Sequence, residues 1–408
     1  MRFFYKFLSS FLVVAMLFGG VGVVSAEEMG RITTENPEVN VYEPMDEEST
    51  PVSSAADLQI TSKSAILIEQ TTGKIIYEHN SHERLSPASV TKIMSLLLIM
   101  EAIERGDISL ETLVTTSQHA AGKGGSQIWL KEGEQMSVND LLKATVIASA
   151  NDATTALAEA VAGSEETFVG MMNDRAAQLG MKDTTFMNCT GLDAEGHLTS
   201  AYDIAIMSKE LLSHELITKY STVWMDTLRD GKSELVNTNK LVRFYEGTTG
   251  LKTGTTSKAG YCLSASATRE NLSLVAVVMD SPSSKVRFNE ARELLSFGFA
   301  NYVNVGIELP EKLDDVKVIG GMKDSVSVNV EGEVNVILEK IKKDTLTTEI
   351  ILPDTLNAPV EKGQTIGECV IKSEENEVAR IKITASDSCD KITFGKAFLT
   401  LLKQMAVI

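Results

Sequence analysis

Residues 86–100 constrain the fold of this chain more than any other segment. Ser86 comes directly before Pro87, and serine as N-cap with proline at the first helical position is typical of the start of an α-helix. Residues 93–100 are apolar on almost every helical face, which is the pattern of a helix enclosed on all sides. We therefore predict a core helix that begins at Ser86.

A serine and a lysine stand three residues apart at the start of this helix. Ser89 and Lys92 would share one face, and a serine hydroxyl becomes a nucleophile when a lysine that loses its proton readily lies beside it. The Ser89 N–H is also one of the unpaired donors of a helix N-terminus, so it could bind an oxyanion. Taken alone, Ser-x-x-Lys more often belongs to an ordinary amphipathic helix.

A second motif, Ser149-Ala150-Asn151, lies between two helical stretches at residues 141–148 and 153–162. The turn would present a hydroxyl that can relay a proton and an amide that can bind a carbonyl group. The alternative is a plain capped turn in which Asn151 or Asp152 bonds to the backbone.

A third motif, Lys252-Thr253-Gly254, precedes alternating stretches at residues 261–267 and 272–279, so we place it on a strand of a sheet. A strand without a side chain at Gly254 could receive an extended peptide along its edge. Lys252 and Thr253 would then face an anionic group. The alternative is a hairpin with an exposed lysine.

The order of the three motifs resembles that of the serine penicillin-recognising enzymes. Over residues 62–303 the chain closely resembles the low-molecular-mass penicillin-binding proteins that act as D-alanyl-D-alanine carboxypeptidases. The resembling stretches are residues 125–131, 188–193, 200–203, 250–255 and 259–261. The resemblance implies an α/β (α+β) catalytic domain of the penicillin-binding and β-lactamase-like kind, with a five-stranded antiparallel sheet and helices, followed by a small all-β domain.

The resemblance also implies a role for each motif. Ser89 would attack the carbonyl carbon of the penultimate D-alanine, and Lys92 would accept its proton. Ser149 would pass a proton to the leaving nitrogen, Asn151 would hold the substrate amide and Lys92, and Lys252 would support this relay electrostatically.

The substrate carboxylate and the oxyanion have implied partners as well. Thr253, beside Gly254, would help to hold the carboxylate, and the N–H groups of Ser89 and Thr255 would form the oxyanion hole. Arg287 falls where the family has its carboxylate-binding arginine, and a guanidinium matches a carboxylate; the alternative is a solvated arginine at a helix start. One departure is Thr238, because some members carry an arginine there.

The implied reaction is removal of the terminal D-alanine from peptidoglycan stem pentapeptides, with β-lactams as covalent inhibitors. A transpeptidase or endopeptidase of the same fold is an alternative, since an amine can also resolve the acyl-enzyme. A penicillin-binding scaffold without turnover is a second alternative. A Glu-x-x-Leu-Asn element is absent from the sequence, so we expect slow penicillin hydrolysis. We expect no metal or organic cofactor, because the sequence has no zinc-type His or Cys spacing and no phosphate-binding loop.

The N-terminal segment predicts export. Two basic residues, an apolar run at residues 7–24 and small residues up to Ala26 are typical of a signal peptide over residues 1–26, although the run is also almost long enough for an uncleaved anchor. Residues 27–57 hold nine acids and one arginine and predict a disordered acidic linker. With a net charge of −18 the chain is not expected to bind nucleic acid. We expect it at the outer face of the bacterial cytoplasmic membrane or in the cell wall.

Beyond the linker we predict a catalytic domain at residues 58–305, a small antiparallel β-rich domain at 306–390 and an amphipathic helix at 391–408. One sector of that helix is apolar and the opposite one polar, which favours a helix lying in a membrane surface over one that spans it; a helix packed on the β domain is the alternative. The apolar sector holds Phe394, Ala397, Phe398, Leu401, Leu402 and Met405. Of the four cysteines, Cys369 and Cys389 are the better placed for a disulfide.

Overall fold

The computed structural model describes residues 54–55, 58–307, 313–330 and 334–406. The expected signal peptide (1–26) lies outside the described residues, and so does the acidic linker (27–57) apart from residues 54 and 55.

The N-terminal region alternates strands and helices. In chain order its elements are β1 (Ser64–Glu69), β2 (Ile75–His79), α1 (Lys92–Glu104), β3 (Leu113–Thr115), α2 (Gln118–Ala121), β4 (Gln135–Ser137), α3 (Val138–Ile147), α4 (Asn151–Ala162), α5 (Glu165–Gln178), α6 (Ala201–Ser213), α7 (Thr218–Ser221), β5 (Met225–Leu228), β6 (Ser233–Val236), α8 (Leu241–Phe244), β7 (Thr248–Thr256), β8 (Gly260–Arg269), β9 (Leu272–Ser281) and α9 (Ser284–Asn301).

A five-stranded antiparallel sheet with the order β2-β1-β9-β8-β7 forms the centre of this region, which confirms the fold class. Both faces of the sheet are covered, as β9 illustrates. Val275 and Val277 face the cluster that holds α1 and α6, while Leu274 and Ala276 face the cluster that holds α9. Successive strand side chains point to opposite faces, so a strand buried on both sides is apolar almost throughout.

Helix α1 is the predicted core helix, since Lys92 and all of residues 93–100 are buried. Its start differs from the prediction. A 3₁₀ turn, Ala88–Thr91, precedes the α-helix, and its N-cap is Pro87 without any side-chain bond, so the expectation that Ser86 caps the helix was wrong. A 3₁₀ turn has three residues per turn and aligns side chains at i and i+3. The tighter turn therefore places Ser89 directly over Lys92.

The C-terminal region is built mainly of strands, as predicted. Its elements are β10 (Tyr302–Ile307), β11 (Val316–Ile319), β12 (Ser325–Val326), β13 (Val328–Val330), β14 (Val334–Glu339), β15 (Leu346–Ile351), β16 (Thr355–Asn357), β17 (Thr365–Ser373), β18 (Asn376–Ala385) and α10 (Phe394–Ala406). The prediction of a purely antiparallel domain was wrong in one pair, because β11 and β16 are parallel. Strand β10 directly follows α9 and pairs with β14.

The cysteines are free and buried. Cys369 packs with Leu313 and Ile383, whereas Cys389 packs in a different cluster with Val316 and Val326. The candidate bridge between Cys369 and Cys389 is therefore not formed. Among the helices within the described ranges, none combines the length and the apolar character needed to cross a membrane.

Candidate active site

Ser89 and Lys92 form the centre of the site. Ser89 is half-buried and Lys92 is fully buried, and the Lys92 Nζ lies 3.0 Å from the Ser89 Oγ. Burial lowers the pKa of Lys92 to about 7. At neutral pH a large fraction of this amine is therefore free to accept a proton.

The Lys92 amine is oriented by two fixed acceptors. Its Nζ donates to the Asn151 Oδ1 at 2.6 Å and to the Thr190 carbonyl oxygen at 2.7 Å. A neutral amine has two N–H donors and one lone pair, so these two bonds use both donors. The lone pair is then directed at the Ser89 hydroxyl, which is the arrangement of a general base and a nucleophile.

The Ser149 motif lies at a turn between helices, as predicted, here between α3 and α4. Ser149 has a φ of 62°, a conformation that is uncommon for residues other than glycine. The Asn151 N–H donates to the Ser126 carbonyl at 2.7 Å, and its side-chain Nδ2 donates to the Gly124 carbonyl at 2.7 Å. The turn thus places Asn151 against Lys92. Ser149 is buried, with 4% of its surface exposed, and its role as a proton relay stays a prediction.

The third motif lies on a strand, as predicted, and this strand is β7 at the edge of the sheet. Lys252 is buried rather than exposed, which rules out the alternative of a hairpin with an exposed lysine. Burial, and then the charges of Lys92 and Arg287, hold the pKa of Lys252 well below its ordinary value. The Thr253 hydroxyl donates to the Thr238 hydroxyl at 2.8 Å.

Gly254 and Gly191 are required by the packing around the nucleophile. A Cβ at Gly254 would lie 2.9 Å from the Ser89 N and from the Pro87 carbonyl oxygen. A Cβ at Gly191 would lie 1.8 Å from the Ala88 carbonyl oxygen. The absent side chain of Gly254 therefore lets β7 approach the 3₁₀ turn Ala88–Thr91, here called the nucleophile turn. The sequence did not predict this contact.

Arg287, in the first turn of α9, is 1% exposed and lies behind β7. Its Nη1 donates to the Thr255 Oγ1 at 2.9 Å and to the Gly254 carbonyl at 3.1 Å, and its guanidinium also lies over the Tyr261 ring. These contacts are those of a buried cation that supports the strand from behind, so the alternative of a solvated arginine was wrong. Direct binding of the carboxylate stays a prediction.

One contributor to the site, Thr190, was missed because its contact is not local in sequence, and a second, Asp152, was expected only as an alternative in which it bonds to the backbone. Thr190 acts through its backbone carbonyl, and only the position of residues 188–193 in a family-like stretch drew attention to it. Asp152 is buried and accepts from the N–H groups of Ile128 and Leu130 at 3.2 and 2.9 Å. Asp152 therefore attaches the segment after Ser126 to α4, the helix that begins at Asn151.

His197 also contacts the nucleophile turn, from the buried side. Its Nδ1 accepts from the Met187 N–H at 2.9 Å, so the Nε2 carries the proton and donates to the Thr91 hydroxyl at 2.8 Å. Burial lowers the pKa of His197 to about 4. A neutral imidazole whose two nitrogens are both hydrogen-bonded is structural and not a proton carrier at neutral pH.

Comparisons with known proteins agree with this geometry. A family described as D-alanyl-D-alanine carboxypeptidase matches residues 50–283. A second family, described as the C-terminal domain of penicillin-binding protein 5, matches residues 310–391.

Individual relatives span most of the chain. D-alanyl-D-alanine carboxypeptidase DacF of Bacillus subtilis is 43% identical over 86% of this chain and 90% of its own length. D-alanyl-D-alanine carboxypeptidase DacC of Escherichia coli is 36% identical over 76% of this chain and 79% of its own length. Among solved structures, penicillin-binding protein 5 of Haemophilus influenzae aligns with a TM-score of 0.75 at 31% identity, covering 84% of this chain and all of that one.

Proposed function

The chain belongs to the D-alanyl-D-alanine carboxypeptidase family, and we propose that it performs this reaction through an acyl-enzyme in which Ser89 is the nucleophile and Lys92 its base. As a serine-type carboxypeptidase it acts on peptidoglycan peptides that end in D-alanyl-D-alanine, and it binds penicillins covalently, as the family does.

The acylation step follows from the contacts of Lys92. The Ser89 Oγ attacks the carbonyl carbon of the penultimate D-alanine while its proton passes to the Lys92 amine. The C–N bond to the terminal D-alanine then breaks, and the leaving nitrogen receives the proton that Lys92 had accepted, through the Ser149 hydroxyl and beside the Lys252 amine. Water hydrolyses the ester in the second half of the reaction and returns the proton to the serine.

Binding of the substrate is proposed along the edge of β7. The N–H groups of Ser89 and Thr255 would bind the oxyanion, and Asn151 the substrate amide. Thr253 would bind the terminal carboxylate, and Arg287, which donates to the Thr255 hydroxyl, would add positive charge behind the strand.

One observation carries the proposal: the two acceptors at Asn151 and Thr190 direct the Lys92 amine at Ser89. The test is mass spectrometry of a pentapeptide ending in D-alanyl-D-alanine, incubated with the purified protein, with Ser89→Ala, and with Ser213→Ala as an exposed-serine control. We expect loss of one D-alanine with the wild type and the control, and none with Ser89→Ala. Joined peptides would indicate a transpeptidase, and penicillin labelling without turnover a scaffold, and either would overturn the proposal.

The domain limits are part of the proposal. We propose a catalytic domain at residues 58–305 and a β-rich domain at 306–390, preceded by a cleaved signal (1–26) and an acidic linker (27–57). The matches at residues 50–283 and 310–391 support this division.

We further propose that the protein is exported and that α10 attaches it to the membrane surface. The helix begins at Phe394, and Phe394 is 87% and Phe398 53% exposed, with their rings stacked at 6.4 Å. Leu399, Leu401, Leu402 and Met405 are exposed as well. An uncovered apolar face on a short helix with lysines suits an interfacial position, and its exposure disfavours the alternative of a helix packed on the β domain.

A further inference from the structure

Glu165, the first residue of α5, lies between two loops that border the site. Its side chain is 12% exposed. The Oε2 accepts a hydrogen bond from the His119 Nε2 at 2.6 Å and another from the Lys123 ammonium. The Oε1 accepts from the Cys189 N–H and from its thiol, both at 3.2 Å. One carboxylate therefore connects the loop at residues 122–127 with the loop at residues 188–192.

The loop at residues 122–127 holds Asn151. The Gly124 carbonyl accepts from the Asn151 Nδ2 and the Ser126 carbonyl accepts from the Asn151 N–H, each at 2.7 Å. Lys123, which binds Glu165, is the chain neighbour of Gly124. A shift of Lys123 would therefore move the carbonyl group that orients the Asn151 amide.

The loop at residues 188–192 holds Lys92. The Thr190 carbonyl accepts from the Lys92 Nζ at 2.7 Å, and Gly191 packs against the backbone of Ala88. Cys189, which binds Glu165, is the chain neighbour of Thr190. Both acceptors that orient the Lys92 amine thus depend on loops that Glu165 connects.

The carboxylate is ionised at working pH. Burial alone would raise its pKa, but the hydrogen bonds from Lys123 and His119, together with the Cys189 N–H and thiol, lower the pKa of Glu165 to about 2. Charge-assisted bonds of this kind are stronger than bonds between neutral groups. Glu165 therefore holds the two loops together through strong hydrogen bonds.

We propose that Glu165 is a positioning residue, which holds the Gly124 and Thr190 carbonyl groups in register so that Asn151 and Thr190 keep the Lys92 amine directed at Ser89. This inference rests on the proposed roles of Ser89 and Lys92. Glu165 touches neither of them and acts through the two loops.

The test compares Glu165→Gln with the wild type by fluorescent penicillin. A glutamine amide presents an N–H to one of the two sets of donors, so it cannot accept from both loops. We expect the acylation rate constant and the kcat for pentapeptide to fall by about 10- to 100-fold, because a small misplacement of reacting groups has such an effect. The KM is expected to change little, and at long times the label is expected to reach the wild-type number of sites per protein.

Three further variants separate positioning from folding and from charge. Glu166→Gln removes the same charge from an exposed neighbour on α5 and is expected to match the wild type. Glu165→Asp keeps the charge and is expected to recover part of the rate. Glu165→Gln with Lys123→Met leaves no unpaired lysine, which protects the fold, and is expected to stay slow.

The outcomes are distinct. Wild-type acylation in Glu165→Gln or in the double variant would overturn the inference, and so would a lower number of labelled sites with an unchanged rate constant, which is the result of a purely structural role. Labelling that persists in Ser89→Ala would instead overturn the proposed function.

Discussion

At the scale of single residues, the reactivity of the site depends on the environment of Lys92. The sequence predicted that Ser89 and Lys92 would meet and that the lysine pKa would fall, and both features are present. Burial is the main cause of the lowered pKa of Lys92. Thr190 could not be foreseen, because a backbone carbonyl from a distant loop leaves no side-chain pattern in the sequence.

The pH dependence of acylation tests the environment of Lys92. Lys92 acts as a base only when it is neutral, and its pKa is about 7. The second-order rate constant for penicillin labelling is therefore expected to rise as the pH increases through about 7 and to level off above it. Lys92→Arg, which keeps the charge but cannot lose its proton, is expected to lower the rate constant by about 10²- to 10⁴-fold.

A rate constant that stays constant from about pH 5.5 to pH 8.5 would contradict this account of the base. Far-UV circular dichroism over the same pH range is the control, since it shows whether a loss of rate at low pH comes from unfolding.

At the scale of elements, the catalytic motifs are carried by a buried helix, a turn between two helices and an edge strand. The sequence predicted all three supports, because each depends on a local period or on local turn residues. The 3₁₀ turn before α1 was missed, since Ser86-Pro87 fits an N-cap equally well. The turn is fixed by Gly191 and Gly254, which pack against its backbone from distant elements.

Gly254→Ala tests the packing of β7 against the nucleophile turn. The new Cβ would lie 2.9 Å from three backbone atoms of that turn, so strand and turn must separate. We expect a stability loss of about 1–3 kcal/mol, as for other overpacked sites, together with slower acylation, measured by chemical denaturation and by penicillin labelling.

Gly170→Ala is the matched control, because Gly170 lies within α5 and a Cβ there meets no atom within 4 Å. This control is expected to be neutral or stabilising, since alanine favours a helix over glycine. Wild-type stability and acylation in Gly254→Ala would show that the close approach does not matter.

At the scale of the whole molecule, the catalytic and C-terminal regions are connected by paired strands. Strand β10, which runs across the expected limit at residue 305, pairs with β14, and the Lys74 Nζ donates to the Ile337 carbonyl at 2.7 Å. The sequence predicted the strands of the second region from their alternation. It did not predict their partners, because β10 and the parallel pair β11 and β16 are joined by contacts between distant residues.

Membrane attachment through α10 is tested by sedimentation with vesicles. Replacing Phe394 and Phe398 by serine removes two exposed aromatic side chains, each of which stabilises a buried state by about 1.5–3 kcal/mol. We expect binding to vesicles to fall at least about tenfold, and deletion of residues 391–408 to abolish it.

Ile351→Ser is the control, since Ile351 is an exposed apolar residue on β15, outside the helix. It is expected to leave vesicle binding unchanged. Equal binding of the wild type and the Phe394 and Phe398 variant would show that α10 is not the attachment site.

The central claim, that Ser89 is the acylated nucleophile, is tested most directly by locating the adduct. The protein is treated with a penicillin, digested, and its peptides are sequenced by tandem mass spectrometry. We predict one acylated residue, Ser89, with no adduct in Ser89→Ala. An adduct on any other residue of the wild type, or one that persists in Ser89→Ala, would contradict the account.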